Sequence, residues 1–303
     1  MMAAVNAYLA LRRAAGFDMS NAGFLLASFA NFASERNKVH VSAETAIAWA
    51  SRGPSVAQRD ARLKAICRFA RYIRMEDHRH ALPPANYFGW RKRRPVPHIY
   101  SERELSRLVH AAGQLGPSGS LRPHTYFTLL GLLAATGLRV SEALELRFSD
   151  LTADGLLVRE TKFKKTRMVP LHATARTNLN RYLDRRRMLG GGTDHVFIGN
   201  HGRSLPYSAV QCTFKTVLKK ADLWPPAGGR RPRIHDLRHT FAVKALQSGP
   251  TGRSRIGEHM VALSTYLGHV NIYSTYWYLQ ATPELLLDIA DIGEAFLCEG
   301  ERS

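Results

Sequence analysis

The sequence predicts a mainly α-helical protein with one small β-hairpin, divided into two domains. Apolar residues recur at helical spacing through most of the 303 residues, and the apolar fraction of 45% is sufficient for a packed core. Two short segments, 156–158 and 168–171, flank a basic tip in the manner of a hairpin. A proline-rich stretch, 81–100, interrupts the helical pattern and indicates a linker.

The first domain is predicted to consist of short helices. Ser42 with Thr45 opens a helix that runs through Trp49, and Gly53-Pro54 ends it. The next helix, from about 55 to 75, has one apolar face, and its other positions are basic: Arg59, Arg62, Lys64, Arg68, Arg71 and Arg74. Such a face is either solvated or lies against a phosphate backbone.

The second domain begins where Ser101 and Glu104 form a capping-box pattern. Beyond it the pattern predicts helices over 125–136, ending at Gly137, and then over 140–148, 172–189, 208–221, 234–247 and 283–296. The hairpin lies between the second and third of these helices. A polar Gly/Arg-rich connection is expected from 248 to about Glu258, and the last helix, 283–296, is amphipathic.

Charge and cysteine content narrow the class of protein. Lys plus Arg number 43 against 24 Asp plus Glu, a net charge of +19, which implies a polyanionic partner, nucleic acid first and an anionic membrane surface second. A basic surface that is merely solvated is the alternative. The three cysteines, Cys67, Cys212 and Cys298, give no disulfide framework. The longest near-apolar run, 126–138, is too short to span a membrane, so a soluble cytoplasmic protein without membrane contact is expected.

The motif TGLRVSE places Arg139 between two predicted helices. A cation at the positive end of a helix is unfavourable unless an anion lies between them, and helix N-termini bind phosphate readily. A surface arginine paired with Glu142 or Glu145 is the alternative.

The motif HDLRHT places His235 and Arg238 three residues apart, on one predicted helix face. A guanidinium fork beside an imidazole suits two phosphate oxygens and a proton acceptor. His235 and His239 also have metal-ligand spacing, but a zincin needs H-E-x-x-H, and here a cation, Arg238, lies between them. No metal and no cofactor are expected.

Two further stretches complete the candidate site. The hairpin tip carries Lys162, and a lysine, unlike an arginine, can donate a proton to a leaving oxygen. The stretch LGHVNIYSTYWYLQ places His269 nine residues before Tyr278. Nine residues of helix turn through about 900°, so the two side chains share a site only if the chain bends between them, at Gly268 or Asn271.

In this order the motifs resemble the tyrosine recombinase (phage-integrase-like) family. The matching text is TGLRVSEAL, TKFKKTRMVPL, HDLRHTFA and STYLGHVNIYSTYWYL. The resemblance covers roughly 100–303, and residues 1–90 are similar to the core-binding domain of the family only in length, position and charge. The text around Tyr278 is more similar to integrases of mobile elements than to chromosome-dimer resolvases.

The resemblance implies a two-domain DNA clamp. Residues 1–90 would be the helical, SAM-like core-binding domain, 91–100 a basic Pro-rich linker, and 101–303 the mixed α+β catalytic domain. Arg139 and Arg238 would hold the scissile phosphate, with His235 and His269 completing the pocket. Lys162 would protonate the leaving 5′ oxygen, and Tyr278 would be the nucleophile that forms a 3′-phosphotyrosyl bond.

The family pattern also implies double-stranded DNA as partner, a tetramer on two DNA sites and a nucleoid location. The helix 283–296 would be exchanged between subunits or packed within its own. Phe163 departs from the glycine of many relatives, which leaves Lys164 and Lys165 as rivals for the acid. Tyr276 is the reserve nucleophile. A type IB topoisomerase-like enzyme and a non-catalytic DNA-binding accessory factor are the alternative functions.

Overall fold

The structure, a computed structural model, describes residues 1–90, 96–159, 166–189, 192–199, 201–248 and 253–268. It divides into two compact units, Met1–Pro95 and Val96–Ser303. The described residues are mostly helical with one two-stranded antiparallel sheet, which confirms the predicted fold class. Among the described helices, none combines the length and the apolar character needed to cross a membrane.

The first unit is a group of four helices around an aromatic core. The helices are α1 (Met2–Ala14), α2 (Ser20–Ser34), α3 (Ala43–Ser51) and α4 (Val56–Ile73). Ser42 and Ser55 cap α3 and α4, because each hydroxyl accepts a backbone N–H three residues ahead, at 3.1 and 3.3 Å. Phe29 on α2 packs edge-on against Trp49 on α3, with ring centroids 5.7 Å apart.

Helix α4 has the predicted apolar and basic faces. Leu63 and Phe69 are fully buried, whereas Arg68, Arg71 and Arg74 are exposed. The other basic residues of this helix have partners within the unit; Lys64, for example, pairs with the buried Asp60 at 2.8 Å. The exposed arginines therefore form a compact cationic strip along the outer side of α4.

The predicted linker contributes to both cores. Ala85 and Phe88 pack on the core of the first unit. Tyr100 is 1% exposed in the second unit, where its N–H donates to Thr240 Oγ1 at 2.9 Å. Residues 91–95, which hold the basic run of the linker, lie outside the described residues.

The second unit contains seven helices and the hairpin strands in its described residues. They are α5 (Glu102–Gly113), α6 (Arg122–Thr136), α7 (Val140–Glu145), β1 (Leu156–Val158), β2 (Arg167–Val169), α8 (Ala173–Leu189), α9 (Tyr207–Lys220), α10 (Asp236–Gln247) and α11 (Arg253–Leu267). Helix α6 is central and packs against α5, α8 and α10. Strands β1 and β2 are antiparallel, with Leu156 opposite Val169 and Val158 opposite Arg167.

Two predicted helix ends are confirmed in detail. The Ser101 hydroxyl accepts the Glu104 N–H at 3.2 Å, and the Glu104 carboxylate accepts the Ser101 N–H at 2.8 Å, which completes the capping box. Gly137 ends α6 with a positive φ of 62°. A Cβ atom there would lie 2.5 Å from the Phe241 ring, so both the backbone conformation and the close contact require glycine.

Several predicted boundaries are wrong, and helix α6 begins at Arg122, three residues before the predicted start at 125. The segment 140–148 is not one helix: α7 ends at Glu145, and a 3₁₀ turn over Phe148–Asp150 follows, held by the Asp150 carboxylate that accepts the Arg147 N–H at 3.0 Å. Helix α10 begins at Asp236, two residues later than predicted. Helix α11 already begins at Arg253, where a polar connection to Glu258 was expected.

Candidate active site

Arg139 occupies the turn between α6 and α7. The left-handed Gly137 reverses the chain, and Arg139 in extended conformation is the residue that precedes α7. Its N–H donates to Glu142 Oε2 at 3.0 Å, and its Nη1 donates to Glu142 Oε1 at 2.6 Å. The pairing with Glu142 that the sequence offered as an alternative is thus present. However, Nη2 also donates to the carbonyl of Gly268 at 3.3 Å, far along the chain.

Glu142 is a buried carboxylate between two arginines. It is 8% exposed, and Arg167 on β2 approaches it from the opposite side to Arg139, with Nη2 2.7 Å from Oε2 and Nη1 3.2 Å from Oε1. Burial alone would raise the pKa of Glu142, but the hydrogen bonds from Arg167 and from the Arg139 N–H, together with both charges, hold this pKa below its ordinary value. Glu142 therefore remains ionised and fixes two guanidiniums.

Arg238 is the most deeply buried cation of the candidate site. It lies on the first turn of α10 and is 2% exposed. Its Nη1 donates to the Gly137 carbonyl at 2.7 Å and its Nη2 to the Leu267 carbonyl at 2.5 Å. These carbonyls belong to the C-terminal ends of α6 and α11, where the helix dipoles place partial negative charge, so the two ends stabilise the buried guanidinium.

His235 is the residue before α10 and has an exposed ring. Its carbonyl accepts the Arg238 N–H at 3.1 Å, in the first turn of the helix. Surrounding protein atoms, then the charges of Arg238 and Arg233, lower the pKa of His235 to about 4. The imidazole is neutral at pH 7 and can accept a proton or a hydrogen bond.

His239 packs edge-on against His235, with ring centroids 4.7 Å apart. Burial and the neighbouring His235 lower the pKa of His239 to about 3. Within the described ranges no group of three His, Cys, Asp or Glu side chains has an arrangement that could hold a metal ion.

The C-terminal end of α11 brings the three arginines together. The carbonyls of Tyr266, Leu267 and Gly268 accept hydrogen bonds from Arg167 at 2.8 Å, Arg238 at 2.5 Å and Arg139 at 3.3 Å. Gly268 then leaves the helix with a φ of 65°. Glu142 pairs with two of these three arginines, Arg139 and Arg167. Three guanidiniums that converge on one helix end suit an anion.

A cleft of about 650 Å³ extends from this cluster toward the hairpin. Its lining includes Arg139 and Glu142 of the cluster, Arg147, and Leu157 and Arg159 of the hairpin. Arg159 follows β1 directly and pairs with Asp150. The cleft therefore leads from the arginine cluster to the base of the predicted lysine tip.

The remaining predicted site residues lie outside the described residues: Lys162 with its rivals Lys164 and Lys165, His269, Tyr276, Tyr278 and the helix 283–296. The structure brings Arg139, His235 and Arg238 together and leads, at Gly268, directly to residue 269. Sequence reasoning missed Arg167 and named Glu142 only as an alternative partner of Arg139. The i, i+3 spacing within TGLRVSE indicates the Arg139–Glu142 pair, whereas no local signal indicates Arg167.

Comparison with known proteins assigns the chain to the family that its motifs resemble. The model of the phage integrase family matches residues 99–284. A putative integrase/recombinase of Sinorhizobium fredii (strain NBRC 101917 / NGR234) is 36% identical over 294 residues, which cover 93% of this chain and 93% of that protein.

Solved structures share the fold at lower identity. The XerH site-specific recombinase bound to palindromic difH substrate, a post-cleavage complex, superposes with a TM-score of 0.65 at 19% identity, covering 90% of this chain and 78% of that chain. A lambda integrase tetramer bound to a Holliday junction gives 0.59 at 18% identity, covering 91% and 76%. On the family match, the related sequence and the fold, this chain belongs to the phage integrase family, the tyrosine recombinases that its motifs resemble.

Proposed function

We propose that this chain is a site-specific DNA recombinase that cuts and rejoins DNA strands through a covalent 3′-phosphotyrosyl bond at Tyr278. The observation that carries the proposal is the convergence of Arg139, Arg238 and His235 beside the end of α11, one residue before His269. Family membership supplies the class of reaction, and this cluster supplies a site for the phosphate on which the reaction takes place.

The arginines stabilise the charge that develops on phosphorus. Tyr278 Oη attacks the scissile phosphate and its proton passes to the neutral His235. The bond from phosphorus to the 5′ oxygen breaks, and Lys162 gives its proton to that oxygen. Arg139 and Arg238 face the non-bridging oxygens, in a partly dry site where charge interactions are stronger than in water. The neutral His235, together with His269, completes the hydrogen bonds around the phosphate.

Rejoining reverses these steps. The freed 5′-hydroxyl of a partner strand attacks the phosphotyrosine and gives its proton back to the lysine. Tyr278 leaves and takes back its proton from His235. Because the phosphotyrosyl ester conserves the free energy of the broken bond, the reaction needs no nucleotide cofactor, and two arginines in place of a metal ion neutralise the phosphate.

Double-stranded DNA is the proposed partner. The net charge is +10 over residues 1–97 and +9 over 98–303, so both parts of the chain are basic. Residues 1–90 act as the core-binding domain, 91–100 as the linker and 101–303 as the catalytic domain. The exposed arginines of α4 contact phosphates, so affinity falls steeply as salt rises. We place the protein in the cytoplasm, at the nucleoid.

The active assembly is proposed to be a tetramer on two DNA sites. Support comes from the fold shared with the lambda integrase tetramer on a Holliday junction. The amphipathic helix 283–296 would then dock on a neighbouring subunit, and its apolar face, with Leu286, Leu287 and Ile292, supplies the contact.

Covalent trapping on nicked DNA tests the nucleophile. A nicked duplex library of random sequence is incubated with the full chain, and the DNA that becomes covalently attached is sequenced to give the site. On the selected duplex the wild type and Tyr276→Phe should trap, and Tyr278→Phe should not. Trapping by Tyr278→Phe would move the nucleophile elsewhere. If the wild type never becomes covalently attached to DNA, a non-catalytic DNA-binding factor is favoured. If the protein relaxes supercoiled DNA without exchanging strands, a topoisomerase-like enzyme is favoured.

A modified leaving group tests the acid. With a bridging 5′-phosphorothiolate the leaving sulfur needs no proton, so Lys162→Ala should cleave this substrate at the wild-type rate and the ordinary one slowly. Lys164→Ala and Lys165→Ala are the matched controls, which should cleave both substrates like the wild type. If Lys164→Ala or Lys165→Ala, and not Lys162→Ala, cleaves the ordinary substrate slowly and the phosphorothiolate at the wild-type rate, that lysine is the acid.

A further inference from the structure

Arg167 is a largely enclosed arginine whose three nitrogen groups all donate within the protein. It is the first residue of β2, and its side chain is 12% exposed. Nη1 and Nη2 form a two-pronged contact with the Glu142 carboxylate, at 3.2 and 2.7 Å, and Nε donates to the Tyr266 carbonyl at 2.8 Å. The guanidinium thus joins β2 to α7 on one side and to the end of α11 on the other.

The contact with Glu142 extends to Arg139. Glu142 Oε1 accepts from Arg167 and, at 2.6 Å, from Arg139 Nη1, so one carboxylate oxygen is shared between the two arginines. Glu142 Oε2 also accepts the Arg139 N–H. Two prongs from Arg167 fix the rotation of this carboxylate, and the carboxylate in turn fixes the direction of the Arg139 guanidinium.

The contact with Tyr266 extends to Arg238 and to the chain beyond α11. The next two carbonyls, of Leu267 and Gly268, hold Arg238 and Arg139. Gly268 also lies against the Arg167 guanidinium, since a Cβ atom there would be 2.9 Å from Nη1. Arg167 therefore restrains the helix end from which residue 269 departs.

We infer that Arg167 is a positioning residue for strand cleavage. It holds in register the carboxylate that orients Arg139 and the helix end that holds Arg238, and it touches no DNA itself. The inference rests on the proposed function, because only a reacting phosphate makes the orientation of these two arginines matter for a rate. A positioning residue matters because reacting groups must be placed closely: a shift of about 1 Å in a reacting group can lower a rate by about 100-fold.

Single-turnover cleavage on the trapped duplex tests the inference. We expect Arg167→Ala to lower the cleavage rate constant at saturating DNA by about 100-fold and to change the Kd for intact duplex less than about 3-fold. Arg167→Lys keeps the charge but lacks the fork, so it should fold normally and lose about 10-fold. The matched control is Arg176→Ala: Arg176 also donates to two backbone carbonyls, those of Thr152 and Ala153, but outside the cluster, and its loss should leave the rate unchanged.

A double-mutant cycle separates positioning from stability. Because Arg167 acts partly through Arg139, Arg167→Ala should slow cleavage by clearly less in an Arg139→Lys background than the roughly 100-fold expected in the wild type. Full additivity, or variants at 167 that lose thermal stability but cleave at the wild-type rate, would overturn the inference. Weakened DNA affinity with an unchanged rate would instead make Arg167 a DNA contact. If the wild type never attaches covalently to DNA, the proposed function is wrong, and this inference falls with it. If the wild type attaches but the effects of the changes at 139 and 167 simply add, only the inference is wrong.

Discussion

Replacement of Gly268 by alanine tests the geometry at the end of α11. Gly268 has a φ of 65°, a conformation that residues with a Cβ atom rarely adopt. The added Cβ would also lie 2.9 Å from Arg167 Nη1 and 3.3 Å from its Cζ. The Arg167 guanidinium cannot move away freely, because Glu142 holds it from one side and the Tyr266 carbonyl from the other.

Two costs add in this variant. The left-handed backbone costs an alanine about 1–2 kcal/mol. Displacement of Arg167 weakens at least one hydrogen bond to a charged group, a further ~1.5 kcal/mol or more. We therefore expect a loss of about 3 kcal/mol in the free energy of unfolding, which lowers the melting temperature of a domain of this size by roughly 6–12 °C.

Chemical denaturation followed by circular dichroism measures this loss. The matched control is Gly119→Ala, since Gly119 also has a positive φ, 77°, but no atom lies within 4 Å of its Cβ position. The control should lose only the backbone cost, about 1–2 kcal/mol.

The contact cost can also be isolated. In an Arg167→Ala background the clash is absent, so Gly268→Ala should then cost no more than the control. If Gly268→Ala costs the same with and without Arg167, and no more than Gly119→Ala, the contact between this glycine and the guanidinium does not constrain the site.

The remaining predictions concern the carboxylate, a helix cap and the histidines. Glu142→Gln removes the charge between two guanidiniums and should cost about 3 kcal/mol in urea denaturation, and an unchanged midpoint would contradict a tight ion cluster. Ser101→Ala removes the cap of α5 and should cost about 1 kcal/mol in thermal unfolding, with a smaller loss arguing against the capping box. Because the pKa values of His235 and His239 are lowered to about 4 and about 3 from 6.5, the unfolded chain binds more protons, so stability should fall as the pH drops from 6.5 toward 4. Denaturation midpoints at pH 7.5 and 5 measure this, and His235→Gln with His239→Gln should flatten the dependence; an equal slope in the double variant would assign it to other groups.

The sequence predicted much of the fold because several helix ends depend on local interactions. Ser42, Ser55 and Ser101 cap their helices through bonds to backbone three residues ahead, and Gly137 ends α6 through its own φ. The same holds for Gly268, which follows α11 with a φ of 65°. Such features are present in a few consecutive residues and need no knowledge of the rest of the chain.

The boundary of α11 shows where local reasoning fails. Gly257 and the polar residues around it predict a loop, since glycine disfavours helix. The helix nevertheless begins at Arg253, because Met260, Leu263 and Leu267 bury one face against α10 and its surroundings. Packing of an apolar face outweighs intrinsic propensity in most protein helices.

For the candidate site, the sequence by itself determined which residue types are present and in what order: Arg139, the lysine tip, His235 with Arg238, and then His269 and Tyr278. Only the tertiary structure decided how the arginines are held. The bonds from Arg167 to Tyr266, from Arg238 to Gly137 and from Arg139 to Gly268 join residues 99, 101 and 129 positions apart. Contacts across such separations leave no periodic or neighbouring pattern in the chain. Arg167, a residue of one hairpin strand, therefore becomes part of the site only when α7, β2 and the end of α11 pack together.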